Sequence, residues 1–252
     1  MHKKRVQSPS SINTYKQCAR KYFYKYITEL PTKPNIHLVR GKVVHAVLEE
    51  FFDIDISEIN FDNYQTILRQ KMQELFLAHW QYNQQILHEL DINSDQERFY
   101  FSESLLMVLN WLDQLFARIK AYKAATFEET FRQFIPMREQ EYFSTDLYVH
   151  GFVDAIESVN GKVTILDYKT NTNMSINDEQ RLQLGIYALL YKEKHGVLPD
   201  STGIFFLRSR PKFISVDNEL LENALNDINL IHEKTATDNL EHYPLKPGPL
   251  CN

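Results

Sequence analysis

Asn160-Gly161 stands between "LYVHGFVDAIESV" and "KVTILDYKT", and this dipeptide limits the possible folds more than any other feature of the chain. Two strand-like runs joined by Asn-Gly read as an antiparallel hairpin, because the tight turn needs φ above zero at both central residues and Asn and Gly tolerate it. The turn brings Asp154 on the first strand close to Asp167 on the second. Asp167 and Lys169 lie two residues apart and share a strand face, with Val163 and Ile165 behind them. Two neighbouring carboxylates repel, and each resists ionisation unless a hard cation sits between them. A divalent metal resolves that conflict. Lys169 beside it would be a fixed positive charge able to orient a water or stabilise a phosphoryl oxygen. A D-x-K triplet on its own is common, and most often marks a surface pair, so the reading depends on what surrounds it.

The surroundings alternate strands and helices. The pattern changes to strands at Phe127, where "FEETFRQFIPMREQEYFS" reads as a strand preceding the hairpin. After the hairpin, "NDEQRLQLGIYALLYKEKHG" reads as a helix capped by Asn177, with Gln180 three residues on and Gly196 as its stop. Strands near "TGIFFLRS" and "KFISV" follow, then a helix opened by Asp217. Upstream, "SPSSINTYKQCARKYFYKYI" starts a helix with Ser8 as N-cap and Pro9 in its first turn, and Ile12, Tyr15, Tyr22 and Tyr26 form its expected buried stripe. "LVRGKVVHAVLEEFF" has helical spacing, with His45 among Val44, Val47, Leu48 and Phe51; a lone histidine there is more often packed than a ligand. From Ile54 to Ala125 the periodicity gives several helices and no chemical motif. The fold class expected is α/β, a mixed central sheet flanked by helices. The organisation expected is one domain over 1–252, with N-terminal helices in 1–52, a helical insertion in 53–126 and the strand-bearing core and tail in 127–252.

Composition narrows the setting. At 252 residues, with 43% hydrophobic and 24% charged residues, the chain suits a soluble globular protein with one large core. No run reaches the roughly 18 apolar residues of a membrane span, and "MHKKRVQSPSS" lacks the apolar segment of a signal peptide, so a cytoplasmic protein without membrane contact is expected. Cys18 and Cys251 are too few for a disulfide scaffold. Residues 1–42 hold ten Lys and Arg against the single acid Glu29, a local balance of +9; with −5 overall, the other 210 residues carry −14. In the first helix the aromatic residues alternate closely with Lys16, Arg20, Lys21 and Lys25, around Tyr22. Such a face can offer stacking surfaces and phosphate contacts to a single nucleic-acid strand, although charge runs are commonly just solvated helix faces.

Taken in order, "SPSSINTYKQCARKYFYKYI", "GKVVHAVLEEFF", "HGFVDAI", "ILDYKTN" and "QLGIYALLY" resemble the RecB-like nuclease branch of the PD-(D/E)XK superfamily. The likeness is nearest to CRISPR-associated RecB-like iron–sulfur exonucleases and to the nuclease modules of helicase-nucleases. It covers residues 8–52 and 139–251. It implies a restriction-endonuclease-like core and metal-dependent hydrolysis of DNA, with single-stranded DNA as partner and helicase or CRISPR adaptation proteins as associates. His45, Asp154, Asp167 and the carbonyl of Tyr168 would then hold Mn²⁺ or Mg²⁺, the imidazole favouring Mn²⁺. Lys169 would be the catalytic lysine, and Gln183 and Tyr187, four apart on one helical face, would lie beside the scissile phosphate. The glutamate that completes such sites is Glu139 or Glu141; Glu141 is preferred. The alternative is a catalytically silent DNA-binding or assembly module on the same fold.

Two departures from the family pattern follow. Ala19 stands where proline is usual after the first cysteine. Relatives with a cluster use one cysteine near the N-terminus and three near the end, whereas Cys18 and Cys251 are the only candidates here and the sequence stops at Asn252. A longer form of the chain carrying the cluster is therefore the expectation.

Overall fold

A computed structural model describes residues 4–90, 92–122 and 124–248. Five strands form one sheet in the order β1 (Met137–Ser144), β2 (Val149–Val159), β3 (Lys162–Lys169), β4 (Ser201–Phe206) and β5 (Pro211–Ser215). The pairs β1/β2, β2/β3 and β4/β5 are antiparallel, and β3/β4 is parallel. The parallel pair needs a crossover, which the helix α8 (Asp178–His195, numbered in chain order below) supplies. Asn160 and Gly161 adopt φ 52° and 75°, the double left-handed turn expected of Asn-Gly, and Val159 pairs with Lys162 across it.

Helices cover both faces. Before the sheet come α1 (Pro9–Gln17), α2 (Ala19–Tyr22), α3 (Ile36–Glu50), α4 (Tyr64–Tyr82), α5 (Gln84–His88), α6 (Ser94–Tyr122) and α7 (Phe127–Gln133); α9 (Asn218–Lys234) follows β5. The largest apolar cluster joins Val43 and Val47 of α3 and Phe51 just after it, Leu68 and Met72 of α4, and Leu112 and Ile119 of α6 to Ala155, Leu166, Tyr168 and Phe205 of the sheet. The helices between 53 and 126 are thus one wall of the sheet rather than an appendage. The opposite face packs Val153, Ile156 and Ile165 against Leu182, Ile186 and Leu190 of α8 and Ala224 and Ile228 of α9. Close approach on that side requires glycine at 151, where a Cβ would stand 3.0 Å from both Tyr187 and Leu190.

Two expected elements differ. Phe127–Gln133 is helix α7, not strand, because Thr126 and Glu129 form a reciprocal capping box in which each side chain accepts the other's backbone N–H. The N-terminal helix is not continuous either. Ser8 and Pro9 start it as expected, but Cys18 is extended (φ −160°, ψ 112°) and ends α1; after α2 the chain makes a π-helical turn over Phe23–Ile27. Along this segment Ile12 and Tyr22 are fully buried, and Tyr22, Phe23 and Tyr243 form a small aromatic cluster that fastens the C-terminal segment to the N-terminal helices.

Candidate active site

The hairpin places its charged residues where the register foretells. Ala155 pairs with Leu166, so Asp154 and Asp167 are the next residues along each strand. Asp154 Oδ2 accepts the backbone N–H of Tyr168 at 2.6 Å, which ties the first strand's acid to the second strand. Asp167 is 3% exposed, and its Oδ2 lies 2.7 Å from Lys169 Nζ. That contact is an ion pair without hydrogen-bond alignment, since Oδ2 has no hydrogen-bond partner among the described residues. Its other oxygen accepts from Gln183 Nε2 at 2.8 Å, and the same Nε2 lies 2.8 Å from the Tyr187 hydroxyl. Gln183 and Tyr187 therefore act as one unit on α8 that fixes the carboxylate plane.

His45 arrives from the other face. Asn35 caps α3 by accepting the Leu38 N–H at 3.1 Å, and the buried residues Val43, Val44, Val47 and Leu48 lock the helix in place. His45 Nδ1 then stands 3.4 Å from Asp154 Oδ1, with its ring edge-on to Tyr168. Burial alone would push this imidazole down, yet the hydrogen bond and charge of Asp154 raise it to about 9. Glu139 closes the group: ligand atoms of His45, Glu139 and Asp154 all lie within 4.8 Å of one another.

The electrostatics of the group follow from burial and from the acids that share it. Burial, reinforced by Asp154, raises Glu139 to about 7. Burial also raises Asp167, with Asp154 adding to the shift and Lys169 opposing it. Lys169 would be lowered by burial, but Asp167 more than offsets this and its ammonium is held. Two carboxylates and an imidazole whose ligand atoms lie within 4.8 Å of one another, with Glu139 held against ionisation, fit a divalent cation of the Mg²⁺ or Mn²⁺ class.

Glu141, the residue preferred from the sequence, is exposed and stands outside this group. A regular strand would put Glu139 and Glu141 on one face. Glu139, however, has φ 45°, and the ladder passes from Arg138↔Ala155 to Gln140↔Val153 around it. The reversed φ breaks the alternation and sends Glu139 alone into the cluster. Left-handed backbone at a glutamate is uncommon and costs on the order of 1–3 kcal/mol, a strain found where a site demands it.

The residues expected to touch nucleic acid separate. Lys21 and Lys25 are exposed. Lys16 pairs with Asp227 on α9 at 2.5 Å. Arg20 donates from Nε to the Tyr243 carbonyl at 2.7 Å, a structural tie to the C-terminal segment. Tyr22 is 1% exposed, its hydroxyl bonded to Gln7, so its ring belongs to the interior, as the buried stripe expects, and not to a nucleic-acid face. Cys18 is buried and free, and Cys251 lies outside the described residues.

Sequence reasoning missed a polar cluster beside the site. Arg40, 4% exposed, bonds Glu103 at 2.6 Å and the Thr170 carbonyl at 3.1 Å; Arg208 reaches the same carbonyl at 3.1 Å and the other Glu103 oxygen. This ties α3, α6 and the end of β4 to the residue after Lys169. Its members are 63 and 105 residues apart, and no local pattern links them.

A family model described as the PD-(D/E)XK nuclease superfamily matches residues 7–252. The Gene 69 protein of Mycobacterium phage L5 is 26% identical over 231 residues, which cover 81% of this chain and 77% of that protein. Among solved structures, the crystal structure of a protein from Eubacterium rectale, named as a candidate exonuclease, is similar with a TM-score of 0.55. That similarity covers 99% of this chain and 86% of the other at 12% identity, and so speaks to the fold alone.

Proposed function

This chain belongs to the PD-(D/E)XK nuclease superfamily, and on that premise we propose that it is a divalent-metal-dependent deoxyribonuclease, an exonuclease acting on single-stranded or frayed DNA. The observation that carries the reading is the convergence of His45, Glu139 and Asp154 within 4.8 Å beside the Asp167–Lys169 pair. A silent binding module would have no use for a strained glutamate beside a half-buried lysine paired with an acid.

In this reading His45, Glu139, Asp154 and Asp167 hold the ion. When bound, it supplies a Lewis acid that withdraws charge from the phosphate and makes water more acidic. Lys169, kept protonated by Asp167, sets a positive charge beside the phosphate oxygens where negative charge grows. Gln183 and Tyr187 keep Asp167 from rotating away. The exposed Lys21 and Lys25 favour the incoming strand electrostatically, so binding weakens with salt. The five ordered motifs support placing the chain in the RecB-like branch, and an imidazole among the ligands favours Mn²⁺ over Mg²⁺.

End-labelled single- and double-stranded DNA, incubated with Mn²⁺, Mg²⁺ or EDTA, tests the proposal. Progressive shortening with either metal and none with EDTA is expected. Intact DNA with both metals, at protein concentrations that bind it, would leave only the binding module.

A further inference from the structure

On the flank of Lys169 away from any ligand role lies a cavity of about 270 Å³ between α1 and the first turns of α8. Asn13, Thr14 and Gln17 form one wall and Glu179 and Gln183 the other, with Lys169 at its edge. Gln183 also holds Asp167, so this cavity and the acid cluster share a boundary. Gln17 borders a second, larger cavity of about 900 Å³ as well, which Arg20, Lys21, Lys25 and Lys33 line. Gln17 thus stands between the cavity beside the candidate centre's lysine and a surface that carries basic residues.

The two cavities differ in chemistry. The large cavity sets Lys21, Lys25 and Lys33 around an apolar lining that includes Leu30, Leu38 and Leu245, and its lysines suit a phosphodiester backbone. The small one is lined by amides and hydroxyls and carries the carboxylate of Glu179, which disfavours a phosphate there. Glu179 is part of a polar chain: Gln17 Nε2 donates to its Oε1 at 3.1 Å, and Lys21 Nζ approaches Gln17 Oε1 at 3.5 Å. Asn13 donates its Nδ2 to the Glu179 carbonyl at 3.0 Å, which leaves Asn13 Oδ1 buried and without a partner among the described residues. Mixed donors and acceptors match the edge of a nucleobase, the part of an unpaired strand that proteins read. The volume falls just below the roughly 300–1,000 Å³ of clefts that hold drug-sized molecules, which suits one heterocycle and not a length of chain.

We propose that this cavity is a nucleobase subsite adjoining the scissile phosphate, with Asn13, Gln17 and Glu179 contacting the base edge while the strand continues over Gln17 to the basic cavity. The proposal rests on the nuclease reading above and assigns to α1 a role in choosing the nucleotide at the cut. The test uses single-stranded oligonucleotides, each carrying one abasic nucleotide at a different position around the cut, with Mn²⁺. For the parent protein, kcat/KM should fall about tenfold when the abasic nucleotide occupies the one position adjoining the cut, the scale of losing one or two buried hydrogen bonds. In Asn13→Ala and in Gln17→Ala that ratio should shrink to about twofold or less, whatever the overall rate. A parent indifferent to every abasic position, or variants with an undiminished ratio, would overturn the subsite while leaving the nuclease reading intact. Should the parent cleave no DNA, that reading fails, and an NMR titration decides the subsite separately. Deoxycytidine should shift the side-chain amides of Asn13 and Gln17, and inorganic phosphate should not; silence with the nucleoside, or equal shifts with phosphate, overturns the proposal.

Discussion

The β2–β3 hairpin and strand β1 both deliver carboxylates to one point, and they do so by opposite means. The hairpin uses regular geometry: an Asn-Gly turn sets the register, and Asp154, Asp167 and Lys169 fall into place with unstrained backbone. Strand β1 is at the edge of the sheet, paired only with β2, and brings Glu139 in by reversing φ at that residue. A site that needs more convergence than a flat ladder provides obtains it at the edge, where a distorted backbone disturbs a single neighbour. The hairpin should therefore hold the parts whose loss is absolute. The edge strand should hold a part that tunes.

The largest effect is expected in the hairpin. Asp167→Ala or Lys169→Ala should lower kcat by at least about 10²–10³-fold, the scale of removing a single preorganised electrostatic group. Circular dichroism and DNA affinity should stay near those of the parent, because neither side chain fills the apolar core. An Asp167→Ala protein that cleaves normally would break the comparison at its strongest point.

The edge strand is compared through its two glutamates. Glu139→Gln should cut activity about tenfold to 100-fold, the scale of losing or weakening one metal-site contact, and shift the metal titration to higher concentration. Glu141→Gln should change neither by more than about twofold, since that side chain is exposed and away from the cluster. Reversal of the two outcomes would show that the reversed φ does not mark the functional acid. His45→Ala sharpens the same contrast from α3. It should raise the Mn²⁺ needed for half-maximal activity by about ten- to 100-fold, whereas a merely packed histidine would lower Tm and leave the metal dependence alone.

How much of this was readable in the sequence follows the same division. Hairpin, α8 with its Asn177 cap and Gly196 stop, and α9 after Asp217 are local devices, and each appears where its residues foretell. Asp154, Asp167, Lys169, Gln183 and Tyr187 come together because strand and helix periods are fixed. Glu139 was legible only as one of two candidates, since period two cannot reveal a reversed φ. Helix α7 was missed because its apolar residues resemble a strand, while the deciding Thr126–Glu129 capping box is only a tetrapeptide. Tyr22 carries two expectations, buried stripe and nucleic-acid contact, because alternation of aromatic and basic residues does not say which side faces inward; packing against Tyr243, more than two hundred residues away in the chain, fits the first. The Arg40–Glu103–Arg208 cluster has no sequence signal, being made wholly by tertiary contact.

The smallest effect expected concerns stability in the absence of metal, and it tests whether the edge glutamate is held at a cost. In the folded protein burial and the charge of Asp154 raise Glu139 to about 7, from an unfolded value of 4.5. A raised carboxyl pKa means that the folded state binds the proton more tightly than the unfolded chain. The group is then neutral in both states below pH 4.5, and stability is lost as pH rises through the window from 4.5 to about 7. Above that window the penalty is complete. Glu139 is only partly buried and also attracts the His45 imidazolium, so the net figure is on the order of 1 kcal/mol, well below the shift taken at face value. Glu139→Gln removes the charge and keeps the shape. In EDTA at pH 8 it should melt about 2–4 °C above the parent, and at pH 4 the two should coincide. Saturating Mn²⁺ should reverse the order, since the parent then gains a ligand bond that the glutamine cannot match. A variant less stable than the parent in EDTA at pH 8 would mean that Glu139 is held by partners of its own, and that the edge strand carries no such strain.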